Sequence, residues 1–400
     1  MEIQVSQKFA SIPPSATLAI DSKYKEMKKA GEDVIGFGAG EPDFDTPEHI
    51  RESAIHAINT GVTKYTPASG TIEIKDAVVR KFKRENGLEY TRENIVVSNG
   101  AKHSLMNAFG VLLNPGDEVI LPAPYWVSYY DMIRLNDGVP VILTTTEEKD
   151  FKFNVDDLNA VFTEKTKALV LNTPSNPTGM VYTDDELKAI ADWAVEKGVY
   201  VISDEIYEHL VYDGSRPHSI ASFGEEIREQ TIIVNGVSKT FAMTGWRIGY
   251  LAATAKLAKA ISNVQSHATS NPNSIAQAAT ITALDGPMDG VEEMKKAFCE
   301  RRNYMVERIN QMDGVSCRKP QGAFYVMMNI KALIGKKIAG TVIQGSEDFA
   351  RVFLDEFKVA VVPCVSFGAE GFVRWSYATS MENIERGLDR LEQLLATKED

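Results

Sequence analysis

Between residues 95 and 251 the sequence alternates short apolar runs with amphipathic helical stretches, and this alternation strongly limits the folds available to the chain. It is typical of repeated strand–helix–strand units, which build a parallel sheet. The runs are apolar on successive residues rather than on every second one, as expected of strands that helices cover on both faces. We predict seven strands, at residues 95–98, 118–121, 139–143, 168–172, 200–203, 231–235 and 248–252.

One of these units has explicit helix boundaries. Thr183 and Glu186 have the spacing of a capping box, in which two side chains satisfy free backbone donors at a helix start. An apolar stripe of helical period follows them, and Gly198 is a helix-ending signal. We therefore predict a helix that begins after Thr183 and ends before Gly198.

The pattern changes after residue 251, where longer helical stretches replace the short apolar runs. Gly286 and Pro287 predict a break before a charged helix that ends near residue 311. Beyond that helix we predict a strand at 322–329, a helix at 346–358, a strand at 371–378 and a last helix that is apolar on one face.

The predicted fold class is α/β. It combines a large domain, with a mostly parallel seven-stranded sheet covered by helices on both faces, and a smaller α+β domain formed by the C-terminal part and the N-terminal segment. The predicted limits are 1–47 for the N-terminal arm and small-domain segment, 48–287 for the large cofactor-binding domain and 288–400 for the small C-terminal domain.

Composition argues against several classes of protein. The net charge of −12 and the lack of a dense Lys/Arg run disfavour a nucleic-acid partner. No apolar run approaches the roughly 20 residues that cross a bilayer, and the polar N-terminus lacks a signal-peptide core, so we expect a cytoplasmic protein without a membrane partner. The three cysteines are widely spaced and no histidines have metal-ligand spacing, so we expect reduced thiols and no metal site.

Ligands of an open parallel sheet bind at the carboxyl ends of its strands, so polar residues that follow each predicted strand are candidate site residues. Gly100, Ala101 and Lys102 follow the first strand, ahead of a helix that we expect to begin near His103. Small residues at such a turn expose backbone amides to an anion, which suggests a phosphate site. A plain turn has the same pattern.

Asn176 and Asp204 follow two further strands. Prolines and a glycine stiffen the loop at 173–179 and hold Asn176 in place, either for binding or as part of a structural turn. Asp204 requires a cationic partner, because an unpaired buried carboxylate costs on the order of several kcal/mol. That partner is either a side chain of the protein or the protonated ring nitrogen of a cofactor, at which Tyr207 would also be aimed.

Lys239 lies in a segment of small and apolar residues, with Arg247 eight positions further along the chain. An amine in apolar surroundings loses its proton more readily and then attacks a carbonyl, as a Schiff-base lysine must. A partly buried structural lysine has similar neighbours. This segment alone leaves both interpretations open.

Together these motifs resemble the fold-type-I, pyridoxal-phosphate-dependent aminotransferases of class I, and within them the bacterial aspartate aminotransferase branch. The resemblance spans essentially the whole chain. Its motifs occur in family order and spacing: Pro-Ser-Asn-Pro-Thr-Gly at 174–179, Asp-Glu-Ile-Tyr at 204–207, Ser238 and Lys239 followed by Arg247, and Phe-Val-Arg-Trp-Ser at 372–376.

The resemblance implies pyridoxal 5′-phosphate as the cofactor. Lys239 would bind it as a Schiff base and move a proton, Asp204 would keep the ring nitrogen protonated, and Tyr207 would hydrogen-bond the ring hydroxyl. The other implied cofactor-binding residues are Gly100, Ala101, Lys102, Ser238 and Arg247 at the phosphate, Asn176 at the ring hydroxyl, and Trp126 stacked on the ring. Taken alone, Trp126 is an ordinary half-buried aromatic. Tyr65 would reach the phosphate in the neighbouring subunit, which implies a homodimer with shared active sites.

Substrate recognition is implied at a second set of residues. Arg374 would bind the α-carboxylate through its planar pair of donors, although taken alone it is a surface arginine on an edge strand. The other implied substrate-binding residues are Gly40, Trp126, Asn176, Lys102, Ser15 and Thr17. Other aspartate aminotransferases use a second arginine to bind the side-chain carboxylate of aspartate or glutamate, the distal carboxylate. In this branch, Lys102, Ser15 and Thr17 look like the substitute for that arginine. A lone ammonium distinguishes substrate side chains less sharply than a guanidinium does, so we expect some tolerance of other side chains.

The implied reaction is a ping-pong transamination of L-aspartate and 2-oxoglutarate to oxaloacetate and L-glutamate. An aminotransferase that prefers aromatic or neutral amino acids, or a lyase on the same fold, stays open as an alternative. Branch members that also accept prephenate have a lysine at the position of Pro13, which argues against that activity. A non-enzymatic regulator would need a DNA-binding domain ahead of the large domain, where only about forty residues precede it.

Overall fold

The computed structural model describes residues 4–14, 16–214 and 218–399. The strands in those residues are β1 Ile35–Gly36, β2 Ile95–Ser98, β3 Glu118–Ala123, β4 Val139–Thr144, β5 Thr166–Asn172, β6 Tyr200–Asp204, β7 Thr231–Gly236, β8 Gly249–Ala252, β9 Ser316–Cys317, β10 Tyr325–Asn329, β11 Lys337–Ile338, β12 Thr341–Val342, β13 Val359–Ala360, β14 Val362–Pro363 and β15 Phe372–Ser376. The α-helices are α1 Gln7–Ala10, α2 Ala16–Lys29, α3 Glu48–Asn59, α4 Ile72–Lys81, α5 Ala101–Leu112, α6 Ser128–Leu135, α7 Val155–Val161, α8 Asp184–Lys197, α9 Glu225–Gln230, α10 Ala255–Ala268, α11 Ser274–Asp285, α12 Asp289–Asn310, α13 Ser346–Phe357 and α14 Met381–Ala396.

Seven strands form the large sheet, in the order β2-β8-β7-β6-β5-β3-β4. Strands β3 to β7 pair in parallel, and β8 runs antiparallel to both of its neighbours. The chain between β7 and β8 contains no α-helix, so it turns back along the sheet instead of crossing over it. The prediction of a mostly parallel seven-stranded sheet is confirmed.

Helices cover both faces of this sheet. In β5, Leu169 and Leu171 pack with α7 and α8, whereas Val170 between them packs with α5 and α6 on the other face. Because successive side chains of a strand point to opposite faces, a strand buried on both sides must be apolar at every position. Helices α3, α4 and α11 extend the first layer over β2 and β7, and α10 extends the second.

The C-terminal part is built on a four-stranded antiparallel sheet, in the order β14-β15-β10-β9, with α12, α13 and α14 packed around it. The N-terminal segment joins it, because β1 pairs in parallel with β13 and Phe37 packs on Trp375 with ring centroids 4.7 Å apart. The smaller α+β unit is therefore present. The domain limits after residues 47 and 287 stay predictions.

Several element boundaries differ from the prediction. Asp204 is the last residue of β6 rather than the first residue after it, because its backbone still pairs with β7. Helix α5 begins two residues before His103, since Gly100 with φ of 86° acts as its N-cap. The strand expected from residue 322 begins at Tyr325. None of the helices in the described ranges combines the length and the apolar character needed to cross a membrane.

Candidate active site

A cavity of about 470 Å³ opens at the carboxyl ends of the large sheet, and the C-terminal part supplies its remaining wall. Loops after five strands of the sheet contribute side chains to it, as does the loop after β1. The predicted site residues that line it are Gly40, Ala101, Lys102, Trp126, Asn176, Asp204, Tyr207, Ser238, Lys239, Arg247 and Arg374. Residues far apart in the sequence thus meet at one place.

Lys239 extends into this cavity from the chain between β7 and β8. Its Nζ donates a hydrogen bond to the carbonyl oxygen of Gly40 at 2.5 Å. Burial lowers the pKa of Lys239 to about 8, and the nearby charges, among them Glu41 and Arg247, act in opposite directions. An amine with this pKa is partly neutral near neutral pH and can attack a carbonyl.

In protein from which the cofactor has been removed, the amine of Lys239 should react with a small aldehyde at lower pH than other lysines. Its rate of reductive alkylation should rise with pH up to about 8 and then level off. The rate at an exposed lysine, with the usual pKa of about 10.4, should continue to rise above pH 8. Peptide mass mapping after alkylation across this pH range measures both rates. The exposed Lys188 is the internal control, and identical pH profiles for the two lysines would contradict the lowered pKa.

Asp204 presents a buried carboxylate at the end of β6 and is only 4% exposed. Its Oδ2 accepts a hydrogen bond from the Tyr129 hydroxyl at 2.6 Å, and its Oδ1 accepts one from the Ile206 amide at 3.2 Å. Burial raises the pKa of Asp204 to about 6, although both hydrogen bonds oppose the rise. Among the described residues no lysine, arginine or histidine nitrogen lies within 4.0 Å of it. The carboxylate is therefore suited to a cation that enters the cavity.

The start of α5 forms an anion cradle with Arg247. The first backbone amides of the helix point out of its N-terminus, where a negative charge is favoured. A Cβ at Gly100 would lie 2.2 Å from Nη2 of Arg247, and one at Gly249 would lie 2.2 Å from the backbone nitrogen of Ala101. Only glycine lets the loop, the guanidinium and the helix start approach this closely.

Arg247 is held at this cradle by two backbone carbonyls. Its Nη1 donates to Thr244 at 2.9 Å and its Nη2 to Asn99 at 3.3 Å. Its own backbone has φ of 57°, a conformation that a non-glycine residue seldom adopts. No acidic side chain in the described part of the chain pairs with it within 4.0 Å, so its charge is available to a phosphate.

Arg374 lies on β15 at the other side of the cavity and is only 2% exposed, so it is not a surface arginine. Its Nη1 donates to Oδ1 of Asn176 and its Nη2 to the carbonyl of Gly38, both at 2.9 Å. Its Nε is buried without a hydrogen-bond partner among the described residues, where no carboxylate lies within 4.0 Å either. A buried guanidinium in this state requires an anion, and a carboxylate fits its paired donors.

Asn176 contacts Arg374 directly, and Tyr207 contacts Tyr325, which packs on Arg374. The Tyr207 hydroxyl lies 3.0 Å from the hydroxyl of Tyr325, whose ring centroid is 4.3 Å from the guanidinium carbon of Arg374. The backbone amide of Asn176 donates to the side chain of Asn172 at 2.9 Å, which anchors the proline-rich loop. Asn176 uses its side-chain oxygen toward Arg374, so its amide nitrogen can face a ligand.

Trp126 and Lys102 form one wall of the cavity together. The ammonium of Lys102 lies 4.8 Å from a ring centroid of Trp126, a cation–π contact. The indole packs edge-on against Tyr129 with centroids 5.3 Å apart. Burial lowers the pKa of Lys102, and the charge of Arg247 acts in the same direction.

Gly100 does not line the cavity but lies beside it, at the start of α5, and three other predicted residues cannot be assigned to it. Tyr65 lies on the surface and is 92% exposed. Residue Ser15 and the side chain of Thr17 fall outside what the structure describes. Their predicted roles stay predictions.

The sequence reasoning missed several lining residues, namely Lys25, Gly38, Ala39, Glu41, Leu105, Tyr129, Asn172, Ile206, Thr244 and Tyr325. Asn172 ends a predicted strand, so the strand-end rule points to it. No sequence signal separates Tyr129 or Tyr325 from other buried aromatic residues. Their roles become visible only from their contacts with Asp204 and Tyr207.

Comparisons with known proteins agree with this arrangement. The family model "Aminotransferase class I and II" matches residues 32–391. The aspartate aminotransferase of Geobacillus stearothermophilus is 47% identical over 396 residues, which are 99% of this chain and 100% of that protein. The crystal structure of the aspartate aminotransferase from Rhizobium meliloti has a TM-score of 0.96 at 42% identity and covers 100% of both chains.

A second solved structure, the aspartate aminotransferase from Thermus thermophilus with maleate, has a TM-score of 0.93 at 42% identity. It covers 98% of this chain and 100% of that one. The similarity thus extends over the whole fold and includes every strand that contributes to the cavity. The chain therefore belongs to the class I and II aminotransferases, whose cofactor is pyridoxal 5′-phosphate.

Proposed function

We propose that this chain transfers the amino group of L-aspartate to 2-oxoglutarate, with oxaloacetate and L-glutamate as products. The observation that carries the proposal is that Lys102 lines the same cavity as the buried Arg374, in addition to Lys239 and Arg247, which we assign to the cofactor. A dicarboxylic substrate has one carboxylate for Lys102 and one for Arg374. The relatives described above are named aspartate aminotransferases, and one of them was solved with maleate, itself a dicarboxylate.

The charges of pyridoxal 5′-phosphate are complementary to those of the cavity. Its phosphate fits the cradle of Gly100 and Arg247, its protonated ring nitrogen fits the carboxylate of Asp204, and its aldehyde fits the amine of Lys239. When bound, the cofactor accepts the electron pair that the Cα of the amino acid releases.

The residues of the chain have separate tasks in this reaction. Lys239 would hold the cofactor through Nζ and would carry the proton removed from the substrate Cα. Asp204 keeps a positive charge beside it, and Tyr129 orients its carboxylate by donating to Oδ2. Tyr207 and Asn176 supply hydrogen-bond donors to the ring hydroxyl, while Arg374 orients the substrate by its α-carboxylate.

Steady-state kinetics test the substrate assignment. With 2-oxoglutarate as the acceptor, kcat/KM should be highest for aspartate in a panel that also contains phenylalanine and alanine. A higher value for phenylalanine or alanine would overturn the dicarboxylate assignment while leaving the transaminase in place. Release of ammonia without an acceptor would instead indicate a lyase.

Replacement of Lys102 by alanine should lower kcat/KM for aspartate and glutamate by about 10- to 100-fold, the value of one charged hydrogen bond. The value for alanine as donor should change little, because alanine has no distal carboxylate. The backbone amide at 102 remains, so cofactor binding should persist. Lys75→Ala, at a half-buried lysine outside the cavity, is the matched control. Equal losses for aspartate and alanine would contradict a role at the distal carboxylate.

We further propose that the protein is a homodimer with shared active sites. The surface on and after α3 exposes an apolar group consisting of Ile55, Ile58, Val62, Tyr65 and Ile72. Such a group is typical of a protein interface. A second copy of the chain would cover it and bring its Tyr65 to the phosphate end of the neighbouring cavity.

Co-expression of two inactive variants tests this dimer. Lys239→Ala and Tyr65→Ala chains should each be impaired alone, but their hybrid should regain one intact site, because Lys239 and Tyr65 of that site come from different chains. Co-expression of a Lys239→Ala chain with an Asp204→Asn chain is the matched control. Lys239 and Asp204 of any one site come from the same chain, so this hybrid contains no intact site. If the first pair recovers no more activity than the control pair, Tyr65 does not act across an interface.

A further inference from the structure

A charge network around the buried Lys81 lies outside the cavity, next to the turn that follows β6. It consists of Lys81, Glu85, Asn86, Glu208, His209 and Asn235, the Lys81 network, and none of the six lines the cavity. The side chain of Lys81 is 2% exposed. Its ammonium contacts the carboxylate of Glu208, donates to Oδ1 of Asn86 at 2.9 Å and lies 3.6 Å from Glu85.

A local change of helix type builds this network. The chain continues from α4 directly into a π-helix at Phe82–Asn86, which ends at Gly87 with φ of 66°. π-Helices are rare and are frequently found at functional sites. The wider turn directs Lys81, Glu85 and Asn86 to the same point, beside Glu208.

Glu208 links the network to the two segments that carry the catalytic groups. It directly follows Tyr207 and lies four residues after Asp204. Its Oε1 accepts a hydrogen bond from Nδ2 of Asn235 at 2.6 Å. Asn235 is 1% exposed near the end of β7, four residues before Lys239. Lys81 is thereby connected to both segments through Glu208.

The network is not explained by stability alone. A buried ion pair seldom stabilises a fold more than apolar side chains of the same volume would. Burial opposes the ionisation of Glu208, but Lys81 and His209 outweigh it and hold the pKa of Glu208 below its usual value. Burial raises the pKa of the neighbouring Glu205 to about 7, and repulsion by Glu208 adds to the rise. Without Lys81, Glu208 would therefore gain a proton or move.

We propose that Lys81 and Glu208 are positioning residues, which set the orientation of Asp204, Tyr207 and Lys239 through the turn at 204–208 and through Asn235. They touch neither substrate nor cofactor. Their effect is to keep the ends of β6 and β7 in register with each other while the reaction changes the charges in the cavity.

The variant Lys81→Met keeps the length of the side chain and removes its charge. It should lower kcat for aspartate by about 10- to 100-fold, because small displacements of reacting groups have effects of this size. The KM for aspartate should stay within about twofold, since neither Arg374 nor Lys102 has a hydrogen bond or ion pair with a member of the network. The pH at which the absorbance of the bound cofactor changes should shift by about half a unit or more, because the proposed function assigns Tyr207 to the ring hydroxyl and Glu208 directly follows Tyr207.

The matched control is Lys152→Met, which breaks the ion pair of Lys152 with Glu186, 2.9 Å apart and outside the cavity. It should lower thermal stability without changing kcat or the absorbance titration. A Lys81→Met variant that is destabilised but has wild-type kcat and a wild-type titration would overturn the proposal and show a purely structural role.

A second variant keeps the proposal testable if Lys81→Met does not fold. Glu208→Gln retains an acceptor for Asn235 but removes the charge, and it should shift kcat and the titration in the same direction by a smaller amount. Wild-type values in Glu208→Gln would overturn the proposal. Only the kcat measurement of this inference rests on the proposed function. If the wild type does not transaminate aspartate, the proposed function fails. The absorbance titration would still decide whether the network positions the groups that contact the cofactor.

Discussion

Replacement of Lys239 by alanine should abolish transamination, with kcat lowered by at least about 10⁴-fold. The reason is that, in the proposed function, one side chain would both hold the cofactor covalently and carry the substrate proton, and Lys239 is placed for this by its position in the cavity. Single-turnover mixing of the variant with aspartate, followed by the absorbance of the cofactor, measures the loss directly.

Cofactor binding separates this loss from a loss of fold. The Lys239→Ala variant should still bind pyridoxal 5′-phosphate without a covalent bond, because the cradle at Gly100 and the carboxylate of Asp204 are unchanged. A small added amine should restore part of the proton transfer. Normal transamination by Lys239→Ala would exclude the assigned role.

Replacement of Asp204 by asparagine should lower kcat on the order of 10³-fold, the largest loss that we expect from a residue without a covalent role. Asparagine has nearly the same shape, so the change removes the negative charge that we assign to the ring nitrogen and little else. The variant should retain cofactor but release the Cα proton slowly, which deuterium exchange at Cα measures without a complete turnover.

The Tyr129→Phe variant serves as the graded control for Asp204. It removes the hydrogen bond to Oδ2, which lowers the pKa of the carboxyl, but keeps the charge, so its loss should be about tenfold. If Asp204→Asn were no slower than Tyr129→Phe, the charge of Asp204 would have no special part in the reaction. Thermal unfolding of both variants is the control for the fold. If the two variants lose the same amount of stability, partial unfolding does not explain the difference between their kcat values.

The strands and the best-marked helix could be predicted because their causes are local. Strands buried on both faces must be apolar at each position, and β5 and β6 show this directly in the sequence. Helix α8 begins at the Thr183 capping box and ends at Gly198 with φ of 67°, as predicted. Boundaries that depend on a neighbouring strand, such as the end of β6 at Asp204, could not be predicted from their own segment.

The candidate site was predicted where residue chemistry and strand ends coincide. Lys239, Asp204, Asn176 and Arg374 are polar residues at positions that meet in one cavity. Tyr129 and Tyr325 were missed because a buried tyrosine in a helix or strand is ordinary by itself. Their function lies in one hydroxyl contact each, with Asp204 and with Tyr207.

By itself the sequence determined the α/β class, the order of the strands along the chain and the family motifs, because each depends on side chains only a few residues apart. Only the tertiary structure decided which buried charges lack an internal partner. Asp204 and Arg374 are both nearly inaccessible, and among the described residues neither has an oppositely charged side chain within 4.0 Å. Burial makes such charges costly, so a ligand with the opposite charges is what completes the site.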